Sequence, residues 1–202
     1  MRPVRATSAR AGAATAPSAG AALRLSVVGL TGSGKSTTTE LLKRSLARRG
    51  LSVSVVKLAD PLYRLQRAVY ETAGVAIRPG DQDQVLMEAL ATQLRRISPT
   101  ALVDDFMRRL EGTAADVVLN DDLRDTFVDY PALRAAGFRV VRVTAPEDVR
   151  LDRLGQRADL TVVANSATTA HIDEIEPDAV IVNDSGQEEL AAAVERVLED
   201  LL

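Results

Sequence analysis

The nine residues "GLTGSGKST" (29–37) decide how the rest of the chain is read. They follow an apolar run, "LRLSVV" (23–28), and lead into "KSTTTELLKRSLARRG" (35–50), whose apolar residues recur at helical spacing. Gly29-x-x-x-x-Gly34-Lys35-Ser36 is the spacing of a phosphate-binding loop, and strand before, helix after is the context this motif requires. Glycines 29, 32 and 34 let successive N–H groups turn inward around an anion, at a helix N-terminus whose dipole favours negative charge. Thr31, Ser33 and Thr37 complete the cradle. Lys35 is expected to reach the β- and γ-phosphates, and the Ser36 hydroxyl to ligate Mg2+. The ligand implied is a nucleoside triphosphate.

Residue usage around this loop points the same way. Of 25 basic residues only three are lysines, Lys35, Lys43 and Lys57, and the other 22 are arginines. A compact ammonium inside the glycine loop is therefore an exception to the chain's habit, and it is what a phosphate cradle accommodates. With 202 residues, one domain with a single core is expected. A net charge of -3 argues against nucleic acid or an anionic membrane as the main partner. The absence of cysteine excludes disulfides, zinc thiolates and iron–sulfur clusters, and fits a reducing, cytoplasmic setting. No apolar stretch approaches the roughly 20 residues that span a bilayer. Residues 1–22 contain Ala, Arg, Ser and Gly with no acid and no periodicity, so a disordered tail is expected there. An acid-free N-terminus bearing Arg and Ser also has the composition of an organelle transit peptide.

Outward from the loop, short apolar runs alternate with amphipathic segments. Strands are expected at Ser52–Ala59, Asp116–Asp121, Phe138–Thr144 and Ala179–Asp184. Helices are expected from Pro61 to about Ala73, over 81–97 and 100–112, in a short segment before Gly137, over 146–157 and over 187–202. The alternation implies an α/β fold, a five-stranded parallel sheet with helices on both faces. The additional helices at about 61–112 form an insert between the second and third strands. Ligands of such sheets bind beyond the carboxyl ends of the strands.

No asparagine precedes any of the three lysines, so the Asn-Lys-x-Asp base-reading motif of GTPases is missing, and so is the "LSGGQ" signature of transporter ATPases. "DRLG" (152–155) matches a short GTPase switch pattern, but it falls in an expected helix. The ordered set "GLTGSGKST", "KLADPL", "VVLNDDLR" and "HIDEIEPDAVIVND" resembles the deoxynucleoside monophosphate kinase and dephospho-CoA kinase group of P-loop kinases, over Leu23 to Leu202. "DQVLMEALATQLRRISP" resembles the helix and Arg-x-Ile-x-Pro turn of phage-type deoxynucleotide kinases. Departures from the pattern are "DLRDTFVD" after the third strand, Glu88 where glutamine is usual, and no tryptophan after Pro99.

The resemblance implies a three-layer P-loop NTPase fold with an acceptor-binding insert and a short lid at about 146–170. It also implies ATP and Mg2+ as cofactors, and transfer of the γ-phosphoryl group to a (deoxy)nucleoside monophosphate or similar phosphorylated small molecule. It assigns Asp60 to contact or deprotonate the acceptor; a helix-capping role before Pro61 fits that residue equally well. Asp122 would orient the acceptor or hold Mg2+, and Arg124 would grip an acceptor phosphate. Tyr63, Arg95 and Arg96 fall in the acceptor insert. Arg150 and Arg153, with Arg157, share one helix face and would close over the phosphates, or else form a solvated face paired with Glu147 and Asp152. Asn183 would border the adenine, and His171 a structural turn. The six aromatics, Tyr63, Tyr70, Phe106, Phe127, Tyr130 and Phe138, divide between core and base stacking. Two other readings stay open: a kinase directed at a hydroxyl, and a nucleotide-binding regulator without catalysis. The residues do not specify an oligomeric state.

Overall fold

Strict in-and-out alternation along the strands sets the layers. In β1 (Leu23–Val28), Leu25 and Val27 face one side of the sheet and Val28 the other, and all three are fully buried. β3 (Val117–Asn120) divides in the same way, with Val117 and Leu119 on the first face and Val118 on the second. So does β4 (Arg139–Thr144), whose Val141 and Val143 oppose Val140. A strand with both faces apolar must be covered on both, which requires crossover helices and parallel neighbours. The computed structural model describes residues 22–156 and 171–202. There it has a five-stranded, all-parallel sheet in the order β2-β3-β1-β4-β5, with β2 at Val53–Val55 and β5 at Ala179–Val182. The α/β fold read from the sequence is the fold observed.

The first face packs on α1 (Lys35–Arg48) and α7 (Gln187–Leu201), through Leu42, Leu46, Leu190, Val194 and Leu198. The second packs on α4 (Ala101–Glu111) and α5 (Asp129–Ala135), through Val103, Phe106, Leu110 and Leu133. Phe106 and Phe138 meet there with ring centroids 5.7 Å apart, so both are core and neither is available to a ligand. Between β2 and β3 run α2 (Asp60–Thr72), α3 (Gln84–Ile97) and α4, which form the helical insert. α6 (Glu147–Gly155) follows β4, and "DRLG" is helical within it. The expected tail falls almost wholly in residues 1–21, and the second half of the expected lid in 157–170; both lie outside the described residues, as does Arg157. No helix among the described residues is long and apolar enough to cross a membrane.

Most element ends fall within two residues of the sequence reading, and two larger differences shape the site. β2 ends at Val55, not Ala59. Val56 N still donates to Leu119 O, but the Asp122 carboxylate then captures the N–H groups of Leu58 and Ala59 at 2.9 Å each and turns the chain into α2. α3 begins at Gln84 rather than Asp81, because the Asp83 carboxylate caps it by accepting from Leu86 N. Asp81 and Asp83 are instead tied to Gln66, a fully buried residue of α2 whose amide donates to Asp81 O and accepts from Asp83 N.

Candidate active site

β1 delivers the glycine loop to the carboxyl edge of the sheet, where α1 begins. Gly34 is the N-cap residue, at φ +101°, and no side chain caps the helix. The N–H groups of its first turn therefore face the cavity without a protein acceptor from a capping side chain. A side chain at Gly34 would be strained by that φ and would meet the amide of Asn183 at 2.1 Å. A side chain at Gly32 would meet the Arg150 carbonyl at 2.6 Å. The loop is thus pressed between its ligand side and the α6–β5 side, and glycine is required by protein neighbours as much as by phosphate. Lys35 Nζ folds back to donate to Gly29 O and Leu30 O, at 2.8 and 3.0 Å. Ser36 and Thr37 are exposed toward the cavity, while Thr31 and Ser33 are buried.

A cavity of about 660 Å³ runs from this loop to the insert. On the loop side it is bordered by Gly32, Gly34 and Lys35 to Thr37; cations along its length are Lys57, Arg124 and Arg153. Its far end, between α2 and α3, is lined by Leu62, Tyr63, Gln82, Gln84, Met87, Glu88 and Ala91, so Glu88, which stands where glutamine was expected, is a cavity residue. Tyr63 Oη accepts a hydrogen bond from Gln82 at 2.6 Å, and burial pushes its phenol pKa up. The end of the cavity therefore combines apolar groups, amides and the Glu88 carboxyl.

The three carboxylates that the sequence placed near the strand ends separate sharply. Asp60 is the first residue of α2 and points away from the cavity. It pairs with Arg109 at 2.8 Å, because that guanidinium also holds Lys57 O and Asp105 and brings α4 against the start of α2. The expectation that its carboxylate faces the site is corrected. Asp122 lines the cavity and accepts three hydrogen bonds: Oδ1 from Leu58 N and from Asn120 Nδ2 at 2.7 Å, and Oδ2 from Ala59 N. Burial pushes its carboxyl pKa up against the pull of those amides. Asp122 thus anchors the β2–α2 turn, with one acceptor position left on Oδ2. Asn120, fully buried, completes this knot through Ser26, Leu123 N and Val56 O.

Asp121 is the carboxylate with capacity left. Its Oδ1 is buried and lies 3.1 Å from Lys57 Nζ, its one charged partner at that distance among the described residues. Burial alone would lower the Lys57 pKa, but Asp121, with smaller contributions from Asp122 and Tyr63, holds the ammonium above its ordinary value. An exposed hydroxyl at Ser36 and an oxygen of this kind at Asp121, on one cavity, form a donor set that suits Mg2+. Among the described residues no group of three or more His, Cys, Asp or Glu could hold a metal by itself, so the remaining positions fall to phosphate and water.

The expected arginines also divide. Arg124 and Arg153 line the cavity. Arg153 donates to Asn183 O and Oδ1 at 3.4 and 3.3 Å, and Asn183, which is buried, donates to Ser33 O at 2.8 Å. Asn183 therefore braces the glycine loop. Arg150 donates to Thr31 O and lies behind the loop. Arg95 borders the cavity, yet its guanidinium is bound to Asp129, whose carboxyl burial pushes up and Arg95 pulls down. Arg96 is exposed and donates to Gln93. His171 and Phe127 sit at the cavity rim in edge contact, 5.7 Å between centroids. Sequence reasoning missed Lys57 as a site residue, although lysine's rarity marked it as plainly as Lys35. Gln82, Gln84 and Met87 carried no signal, since their positions depend on how α3 packs.

Comparison with known proteins adds the following. A family model, the methylmalonyl Co-A mutase-associated GTPase MeaB, matches residues 3–67, which carry the glycine loop. No curated protein sequence matches. The solved structure of TT1252 from Thermus thermophilus is similar at a TM-score of 0.54 and 20% identity, over 90% of this chain and 98% of that one. Shikimate kinase from Bacteroides thetaiotaomicron gives 0.51 at 14% identity, covering 89% and 98%. Shikimate kinase from Acinetobacter baumannii, in complex with shikimate, gives 0.50 at 14%, covering 88% and 92%. At these identities the likeness is one of fold.

Proposed function

We propose that the chain is an ATP- and Mg2+-dependent phosphotransferase whose acceptor is a (deoxy)nucleoside monophosphate or a similar phosphorylated small molecule. The observation that carries this is one cavity joining an uncapped helix N-terminus, through Lys57, Arg124 and Arg153, to an end lined by apolar groups, amides and the Glu88 carboxyl. A triphosphate fits the first part and a small acceptor the last, with their reacting oxygens meeting among the cations. In the transfer the bond from the γ-phosphorus to the bridging oxygen breaks, a bond to the acceptor oxygen forms, and ADP leaves. The loop N–H groups and Lys35 neutralise charge on the moving phosphoryl group, and Arg124 and Arg153 hold the two reactants in line. Mg2+, held by Ser36 and Asp121, would supply charge neutralisation at the β- and γ-oxygens.

The orientation of Asp60 favours a phosphate over a hydroxyl as acceptor. A monophosphate has a second pKa near 6 and is largely a dianion at neutral pH, so it needs positioning and no base. A hydroxyl would need a placed carboxylate; the one expected to serve pairs with Arg109, and Glu88 and Asp121 are the cavity carboxylates that a hydroxyl acceptor would have to use instead. The GTPase match covers the loop that GTPases and kinases share, and no lysine here follows an asparagine.

The test is a screen by coupled ADP release, with ATP or GTP as donor. Acceptors would include nucleoside and deoxynucleoside monophosphates and, as a hydroxyl acceptor, shikimate. One or more monophosphates should raise ADP release with ATP as donor, and Lys35→Ala should abolish it without loss of fold. Near-normal turnover in that variant, or a preference for shikimate, would overturn the proposal. ATP binding without acceptor-dependent release would support a regulator.

A further inference from the structure

Two of the three lysines line the cavity, and the second has no part in the phosphate loop. The backbone beneath Lys57 is fixed from both sides: Arg109 holds its carbonyl at 2.6 Å, and Asp122 holds the next two N–H groups. Its side chain is 37% exposed, whereas that of Asp121 is only 9% exposed. The movable element is therefore the four-carbon stem of the lysine, swinging from a rigid turn beside a buried carboxylate. At 3.1 Å the pair is held by opposite charge and by a hydrogen bond from the ammonium.

A divalent ion on Asp121 Oδ1 and an ammonium at 3.1 Å from that oxygen compete for the same lone pairs, and the two cations repel. Resting on the kinase reading above, we propose that Lys57 is a surrogate cation. Its ammonium neutralises Asp121 while the site lacks a divalent ion, yields that carboxylate to the ion that arrives with the nucleotide, and turns onto the anionic group of the acceptor. The exchange keeps the buried carboxylate paired at every stage, which matters because an unpaired buried charge is costly. It also couples the two substrates: the acceptor gains its cation only after the metal nucleotide is in place. Arginine would not serve, since its planar fork grips a carboxylate bidentately and releases it reluctantly. That fits a chain that otherwise writes arginine.

The experiment uses Mn2+ as probe, followed by electron paramagnetic resonance on the full chain without nucleotide. Lys57→Met should bind Mn2+ about tenfold tighter than the wild type or more, since the competing charge is gone. Lys57→Arg should bind it no tighter than the wild type. The double variant Lys57→Met, Asp121→Asn should lose the gain. Equal Mn2+ affinity in the wild type and Lys57→Met, or a gain that survives Asp121→Asn, overturns the proposal, as does a Lys57→Arg variant that tightens as Lys57→Met does. Failure of all of them to bind Mn2+ overturns it too. Tighter Mn2+ binding in Lys57→Met together with a screen in which no acceptor is phosphorylated would leave the exchange standing and remove the kinase reading.

Discussion

Asp122→Asn separates a structural anchor from a metal ligand. In the wild type three donors converge on that carboxylate, Leu58 N and Asn120 Nδ2 on one oxygen and Ala59 N on the other. Asparagine keeps the size but offers one acceptor oxygen, and its NH2 must face at least one of those donors. One or two buried N–H groups then lack partners, at about 1–3 kcal/mol each. A total of about 2–4 kcal/mol corresponds to a fall in Tm of roughly 5–15 °C for a domain of this size. The turn carrying Lys57 and leading to Tyr63 should loosen with it, so the acceptor KM should rise more than kcat falls. Asp121→Asn should do the reverse, leaving Tm within a few degrees while kcat falls by about a hundredfold or more. Thermal unfolding by circular dichroism and steady-state kinetics on both variants make the comparison. An Asp122→Asn protein with an unchanged Tm and a collapsed kcat would refute the anchor and return the metal to Asp122.

Asp60→Asn should lower kcat by less than tenfold, because it removes a half-exposed ion pair with Arg109 worth about 0–1 kcal/mol and touches no cavity group. A fall of about a hundredfold with acceptor KM unchanged would restore Asp60 as a base and favour a hydroxyl acceptor. Glu195 lies between Ser45, Arg49 and Arg48, whose hydrogen bonds hold its carboxyl pKa down at about 2. A depressed folded-state pKa means that this bracing of α1 to α7 is complete above the ordinary value near 4.5 and is lost as pH falls toward 2. Glu195→Gln should therefore flatten the Tm profile between pH 4.5 and 2, and an unaltered acid limb would contradict the assignment.

The glycine loop, the order of strands and helices and the parallel sheet were determined by the sequence alone, for a local reason. Gly29 to Ser36 is a contiguous motif, and apolar runs such as "LRLSVV" and "VVLN" must be buried on both faces wherever they lie. Tertiary structure decided which polar side chains point into the cavity. Asp121 and Asp122 are chain neighbours of identical chemistry. Only the parallel pairing of β2 with β3 brings the N–H groups of Leu58 and Ala59 to one of them and the ammonium of Lys57 to the other. Asp60 and Arg95 pair with Arg109 and Asp129 because α4 lies against the start of α2 and α5 begins beside α3, and these partners lie 49 and 34 residues away. An ionic side chain near a site takes whichever opposite charge the packing brings within about 4 Å, and that distance is a property of the folded chain.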